Sequence, residues 1–299
     1  MTASRRHFLA SALAAAALAP LPRRAWGCVG LDPAESALLR LRDLEQRQGV
    51  RLGVSILDVA SGRRVSHRGG ERFAMCSTFK LLLAAQVLAR ADRGEDRMDR
   101  RRVFGAGDLV SWSPVTEKHL GEPGMSLAEL CEATITISDN TAANLLLAGL
   151  GGPAGFTAFV RSLGDEVTRL DRNEPTLNEA APGDPRDTTT PDAMLASMQA
   201  VLLGDALSEP SRRQLADWLV ATRTGDRRLR AGLPADWRIG DKTGTNNTGN
   251  ANDVAIAWVP GRGPLLVTAY LEAPPLDATG RDAILAEVGR VAAGFVAAA

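Results

Sequence analysis

Asp253-Val254-Ala255-Ile256-Ala257-Trp258-Val259, the turn Pro260-Gly261-Arg262-Gly263 and then Pro264-Leu265-Leu266-Val267-Thr268-Ala269-Tyr270-Leu271 decide the fold class. Two apolar runs of strand length, rich in β-branched residues and split by a Pro/Gly turn, read as paired strands. The pattern recurs near the other end, where residues 51–58 alternate through Leu52, Val54 and Ile56, turn at Ser61-Gly62 and return through Val65. A helical stripe, Ala37, Leu38, Leu41 and Leu44 within 35–48, precedes that hairpin and stops at Gly49. A last helix is expected over about 279–296. Between the two β-rich ends, helical periods dominate at 78–91, 126–136, 141–150, 155–163, 191–203 and 209–221. One sheet built from both ends of the chain, with a helical insert, is the simplest arrangement of such a pattern. The expected fold class is therefore α/β plus all-α. Residues 28–75 and 222–299 form a discontinuous α/β sandwich domain, an antiparallel sheet with flanking helices from both termini. Residues 76–221 form an inserted all-helical domain, with the active site between the two. One stretch, 169–187, is too broken by Pro175, Pro182, Gly183 and Pro185 to be a helix, and its charged and amide side chains favour a functional loop.

With 45% hydrophobic and 23% charged residues among 299, the chain has the composition of a globular protein and excludes a disordered one. Residues 1–27 read as an export signal: Ser4-Arg5-Arg6-His7-Phe8-Leu9 leads an alanine-rich apolar stretch ending at Leu21. The arginine pair points to the twin-arginine route, with the n-region of an ordinary secretory signal as the alternative. The stretch falls short of the roughly 20 apolar residues of a spanning helix, so no stable membrane span is expected in the mature chain. Processing near Ala25-Trp26-Gly27 would leave Cys28 first and raises a lipoprotein reading, against which Trp26 counts. A periplasmic or secreted protein is expected, and a monomer. Removing the signal, with four arginines and no acid, leaves 31 basic against 35 acidic residues, a net of −4. That balance, with no long basic run, argues against a nucleic-acid partner. Cys28, Cys76 and Cys131 are an odd number for an exported protein, so at least one thiol is free or externally paired. His67 and His119 have no neighbours at metal-ligand spacing, and neither stands where a Ser-His-Asp hydrolase needs its base, so no metal and no cofactor are expected.

All but three of the 35 basic residues are arginine, the exceptions being Lys80, Lys118 and Lys242. A site that needs only positive charge accepts Arg, whereas an ammonium can lose its proton and a guanidinium cannot. Lys80 closes Ser77-Thr78-Phe79-Lys80 and Lys242 opens Lys242-Thr243-Gly244-Thr245. On a helix, Ser77 and Lys80 share a face one turn apart, within hydrogen-bonding range. A serine hydroxyl needs a neighbour that takes its proton, and burial disfavours the charged form of the lysine. Unpaired N–H groups around Ser77 suit an oxyanion. Alone, Ser77 would read as a helix N-cap. Ser138-Asp139-Asn140 has capping chemistry too, while Ser138 is suited to pass a proton to a leaving nitrogen and the Asn140 amide to bind a substrate carbonyl. Gly244 would let a strand approach a ligand closely, and Lys242, Thr243 and Thr245 offer a positive, donor-rich edge to an anionic substrate.

The S-x-x-K, S-D-N and K-T-G triplet resembles that of the class A serine β-lactamases, and the likeness covers nearly all of the mature chain. Trp112-Ser113-Pro114, residues 138–147, Leu170-Asp171-Arg172, Glu174 with Asn178, and residues 224–234 match at compatible spacing. The resemblance implies hydrolysis of the β-lactam amide by an acyl-enzyme on Ser77, with a small-molecule β-lactam and water as the only partners. It makes 169–187 an Ω loop, braced by Arg172 with Asp187, in which Glu174 and Asn178 hold the deacylating water and the Glu174-Pro175 bond is cis. It assigns the oxyanion hole to the N–H groups of Ser77 and Thr245, and leaves Lys80 and Glu174 both as acylation bases. Trp112 becomes an aromatic at the cleft edge, a packed tryptophan being the alternative. Departures bear on specificity: the position that would pair with Cys76 is Asn246, the one that would pair with Cys131 is Ala84, and the substrate-carboxylate arginine falls to Arg228 or Arg281. The rival activities are a D,D-peptidase or penicillin-binding protein and a β-lactam sensor. Both acylate without fast deacylation, and Glu174 argues against both.

Overall fold

The computed structural model describes residues 32–297, so the expected signal (1–27) and Cys28 lie outside the described residues. Helix α1 (Pro33–Gln48) starts at Asp32, whose side chain accepts from the Ala34 N–H at 2.7 Å, and buries Ala37, Leu41 and Leu44. The hairpin of β1 (Arg51–Asp58) and β2 (Arg64–His67) follows. A short β3 (Phe73–Ala74) and a 3₁₀ turn, Cys76–Thr78, lead into α2 (Phe79–Asp92). The helical middle continues through β4 (Arg101–Arg102), β5 (Met125–Ser126), α3 (Leu127–Thr136), α4 (Asn140–Gly149) and α5 (Gly152–Ser162). After the 169–187 loop come β6 (Thr188–Thr189), α6 (Pro191–Leu202) and α7 (Glu209–Val220). The chain returns to the sheet through α8 (Leu229–Gly232), β7 (Arg238–Thr245), β8 (Asn250–Trp258) and β9 (Pro264–Glu272), and ends in α9 (Ala278–Ala297). Among the described residues no single helix is long and apolar enough to cross a membrane.

The main sheet has the order β2-β1-β9-β8-β7, every neighbour antiparallel, so that strands from the two ends of the chain meet at β1–β9. Alternation sorts the side chains into two cores. Leu52, Val54 and Ile56 of β1, Ala251, Ala255 and Ala257 of β8, and Val267 and Ala269 of β9 pack with α1, α8 and α9. Val254 and Ile256 of β8, with Leu266 and Tyr270 of β9, point to the opposite face, where Phe79, Leu83, Leu130, Leu147 and Leu195 of the middle helices cover them. Strands buried on both faces read as unbroken apolar runs, which is why β8 and β9 stood out in the sequence. Strand β8 begins before the apolar run, at Asn250, because the polar side chain of Asn252 is satisfied inside the protein: its Nδ2 donates to Ala74 O at 2.9 Å and Met75 O at 3.1 Å.

The 169–187 loop is closed at its base. Asp187, with a side chain 1% exposed, receives Arg172 Nε at 2.6 Å and the N–H groups of Asp171 and Arg172 at 2.7 and 3.0 Å. Removing one partner of such a buried pair strands the other charge without its counter-ion. Asp187→Ala is therefore expected to lower unfolding free energy by about 3–5 kcal/mol in urea titrations. Arg186→Ala, which breaks the exposed Arg186–Asp184 pair on the same loop, is expected to have no measurable effect.

Candidate active site

The turn that carries Ser77 is built by backbone crowding. Thr78 Oγ1 donates to Met75 O at 2.9 Å, Cys76 takes a positive φ of 45°, and Asn252 holds the two carbonyls before it. A Cβ on Gly244 would lie 2.6 Å from Met75 O and 3.1 Å from Ser77 N, so only glycine lets β7 run against this turn. The expected close approach at Gly244 is thus filled by the protein's own backbone rather than by a ligand.

Helix α2 begins at Phe79, so Ser77 sits in the 3₁₀ turn ahead of it, and the expected Ser77–Lys80 hydrogen bond does not form among the described residues. Ser77 Oγ donates instead to Glu174 Oε1 at 3.3 Å, and that same oxygen lies 3.0 Å from Lys80 Nζ. Lys80, fully buried, also donates to Ser138 O at 2.9 Å, to Asn140 Oδ1 at 2.5 Å and to Ser138 Oγ at 3.3 Å. Burial pulls its proton affinity below that of an ordinary lysine, and Glu174 opposes the shift.

The other oxygen of Glu174 accepts from Asn178 Nδ2 at 2.6 Å, while Asn178 Oδ1 is a buried acceptor with no partner among the described residues. The Glu174-Pro175 bond is cis. The Glu174 backbone is clamped by Asn144, which accepts from its N–H at 3.0 Å and donates to its carbonyl at 2.9 Å. Sequence reasoning gave Asn144 no role; its signal was an amide in the otherwise apolar part of α4.

Ser138, at a positive φ of 64°, turns its hydroxyl between two ammonium groups, since Lys242 Nζ donates to the same Oγ at 3.1 Å. Lys242 is as buried as Lys80; desolvation, and then the Lys80 charge, push it down to about 7. Capping of α4 falls to Asp139, which accepts from Ala142 N at 2.9 Å and pins Val115 and Thr116 with its other bonds. Lys118, the third lysine, is exposed and lies outside this cluster.

These groups open onto a cleft of about 600 Å³ lined by Ser77, Trp112, Ser138, Asn140, Asn178, Arg228, Thr243 and Thr245, among others. Trp112 is 62% exposed and tethered by Nε1 to Ile137 O at 3.0 Å, which makes it a rim residue and not a packed one. Arg228 is ion-paired to Asp282 at 2.8 Å, donates to the carbonyls of Gly244 and Asn252, and reaches Thr245 Oγ1 at 2.7 Å, leaving one N–H unengaged beside the K-T-G-T edge. Arg281 binds Leu276 O and does not line the cleft. Asn246, where a partner for Cys76 would stand, donates instead to Asn178 O at 3.1 Å; Cys76 and Cys131 are free and buried, and burial raises the Cys76 thiol to about 12.

Comparison with known proteins agrees with this arrangement. The beta-lactamase enzyme family model matches residues 36–296. Beta-lactamase L2 of Stenotrophomonas maltophilia is 50% identical over 97% of this chain and 98% of its own length. The carbapenem-hydrolyzing beta-lactamase KPC of Klebsiella oxytoca is 50% identical over 83% of this chain and 85% of its own. Among solved structures, an ancestral (GNCA) class A beta-lactamase superposes with a TM-score of 0.84 at 67% identity, covering 85% of this chain and 98% of that one. A matching fold, a family model spanning nearly all described residues and relatives aligned almost end to end lead to one assignment: the chain belongs to the beta-lactamase enzyme family, as a class A serine enzyme.

Proposed function

We propose that this chain hydrolyses the β-lactam amide through an ester on Ser77, released by water held between Glu174 and Asn178. The observation that carries the reading is the buried Glu174 carboxylate, one oxygen facing both Ser77 Oγ and Lys80 Nζ and the other facing Asn178. Its second contact, to Asn178, suits it to activate a water after acylation, a step that an enzyme which only acylates does not need. As Ser77 Oγ bonds to the lactam carbonyl carbon, its proton passes to Glu174 or to neutral Lys80, both of which lie at the nucleophile. The N–H groups of Ser77 and Thr245 hold the oxyanion. The proton reaches the lactam nitrogen through Ser138 Oγ, which accepts from Lys80 and can donate onward as the C–N bond breaks. In the second half, Glu174 takes a proton from water, the hydroxide adds to the ester carbonyl, and Ser77 leaves with its proton restored.

Lys242, Thr243, Thr245 and the free N–H of Arg228 form the edge for the substrate carboxylate; Asn140 takes the substrate's amide carbonyl and Trp112 its exposed face. The same reading treats 28–75 with 222–299 as one domain and 76–221 as the other, an assignment supported by the two cores on opposite faces of the sheet. It takes residues 1–27 as a twin-arginine export signal and the mature protein as a periplasmic or secreted monomer.

Glu174→Ala is expected to acylate and then stall, with deacylation slowed by about 10²–10⁴. Intact mass after mixing with benzylpenicillin should show a persistent adduct on Ser77, and undiminished turnover would reject the assignment. The value of about 7 for Lys242 sets a pH dependence. As pH rises through it, the cation facing the substrate carboxylate is lost, so kcat/KM for an anionic penicillin falls. Lys242→Arg keeps its charge and should lack that descending limb in kcat/KM profiles taken from about pH 5 to about pH 9.

A further inference from the structure

Asp241 and Asp253 are fully buried and have no part in the reaction above. In the β7–β8 register Thr243 faces Asp253 and Asp241 faces Ala255, which makes the two acids diagonal neighbours on the sheet face covered by α8 and α9. Diagonal neighbours on one face of an antiparallel pair lie about 7–8 Å apart, and the charge of Asp241 is felt at Asp253. One oxygen of each is satisfied: Asp241 Oδ1 receives Nε and Nη2 of Arg230, and Asp253 Oδ2 receives the Leu229 N–H at 3.1 Å. The other oxygens, Asp241 Oδ2 and Asp253 Oδ1, are buried with no donor.

An ionised carboxylate can only accept, so as two anions this pair leaves two acceptors unmet and two like charges side by side. Arg228 and Lys242 pull against this from nearby, but among the described residues the cations around the pair are engaged elsewhere. Arg230 is committed to Asp241, and Arg228 to Asp282 of α9 and to three oxygens of β7 and β8. Asp226 adds negative charge near Asp241 from the α8 side, β9 presents Ala269 opposite Asp253, and Lys242 sends its ammonium to Ser138. A single proton removes both difficulties, because a carboxylic acid donates where a carboxylate cannot. We propose that Asp253 is held as the neutral acid and donates to the free oxygen of Asp241, so that the pair keeps one negative charge behind Lys242 and positions that residue's proton. Burial raises both groups, and the Asp241 charge raises Asp253 further, in the sense the arrangement requires.

The effect on catalysis rests on the role given to Lys242 above, whereas the shared proton does not. Both are tested with the whole mature protein, its aspartates labelled with ¹³C, by infrared spectroscopy at neutral pH and by kcat/KM against pH for benzylpenicillin. Wild type should show a carboxylic-acid C=O band that Asp253→Asn lacks. The Asp253→Asn enzyme should fold and reproduce the wild-type pH profile, since an amide of the same shape replaces a group already neutral. Asp241→Asn combined with Asp253→Asn removes the pair's one charge and should move the descending limb to lower pH by about one unit. Absence of the band in wild type, its survival in Asp253→Asn, or failure of Asp253→Asn to fold would overturn the shared proton. A limb displaced equally in both variants would overturn it as well, by showing Asp253 ionised. Were the limb to arise elsewhere than Lys242, the profiles would not move while the infrared band would still decide the pair.

Discussion

Two lysine ammonium groups buried completely against one serine hydroxyl are the constraint around which this structure is arranged. Withdrawing an ammonium from water costs several kcal/mol even after the protein relaxes, and placing two together adds their repulsion. Each is held by chemistry from a different part of the chain: Lys80 from the start of α2, Lys242 from β7, and Ser138 from the connection between α3 and α4. Glu174, 3.0 Å from Lys80, compensates one of them directly. Lys242 has no carboxylate in contact among the described residues, and burial, then the Lys80 charge, lower its proton affinity. A lysine that exchanges its proton readily is what acid–base chemistry at a serine needs, so the instability of the site and its reactivity have one cause.

That chemistry depends on where the 169–187 loop holds Glu174. The loop is anchored at three heights. Asp187 with Arg172 closes its base, Asn144 grips the backbone of Glu174 itself, and Asn246 takes the carbonyl of Asn178 from the β7–β8 turn. The last anchor links the carbonyl of a residue facing the Glu174 carboxylate to the end of the K-T-G-T strand. Gly244 completes the arrangement from the other side, bringing that strand against the backbone of the turn that carries Ser77. Ser77, Glu174 and the β7 edge are therefore tied into one hydrogen-bonded and close-packed frame.

Much of this was legible in the residues. The sheet from both termini followed from alternation and apolar runs, and β1 and the helices appeared within a few residues of their places because burial on one face leaves a period. The lysines were legible because a chain that uses arginine everywhere else leaves them conspicuous. What could not be read was whatever lacks a period or depends on burial. The two-residue strands and α8 are too short to repeat, and the turn that carries Ser77 is 3₁₀ because Gly244 lets β7 crowd it, a tertiary cause. Trp112 stood equally as packed or exposed until Ile137 was seen to hold it at the rim. Asp241 and Asp253 look like ordinary surface acids until the sheet and α8 close over them.

The chain's three lysines make the central claim directly measurable. Protein labelled with ¹³C at lysine Cε gives three signals, assigned by Lys118→Arg and Lys242→Arg, whose chemical shifts report each amine through a pH titration. Lys242 is expected to lose its proton at about 7 and Lys80 below the ordinary lysine value. If both buried lysines stayed protonated to about pH 10, as free lysines do, burial would not be setting their chemistry and the account would be contradicted.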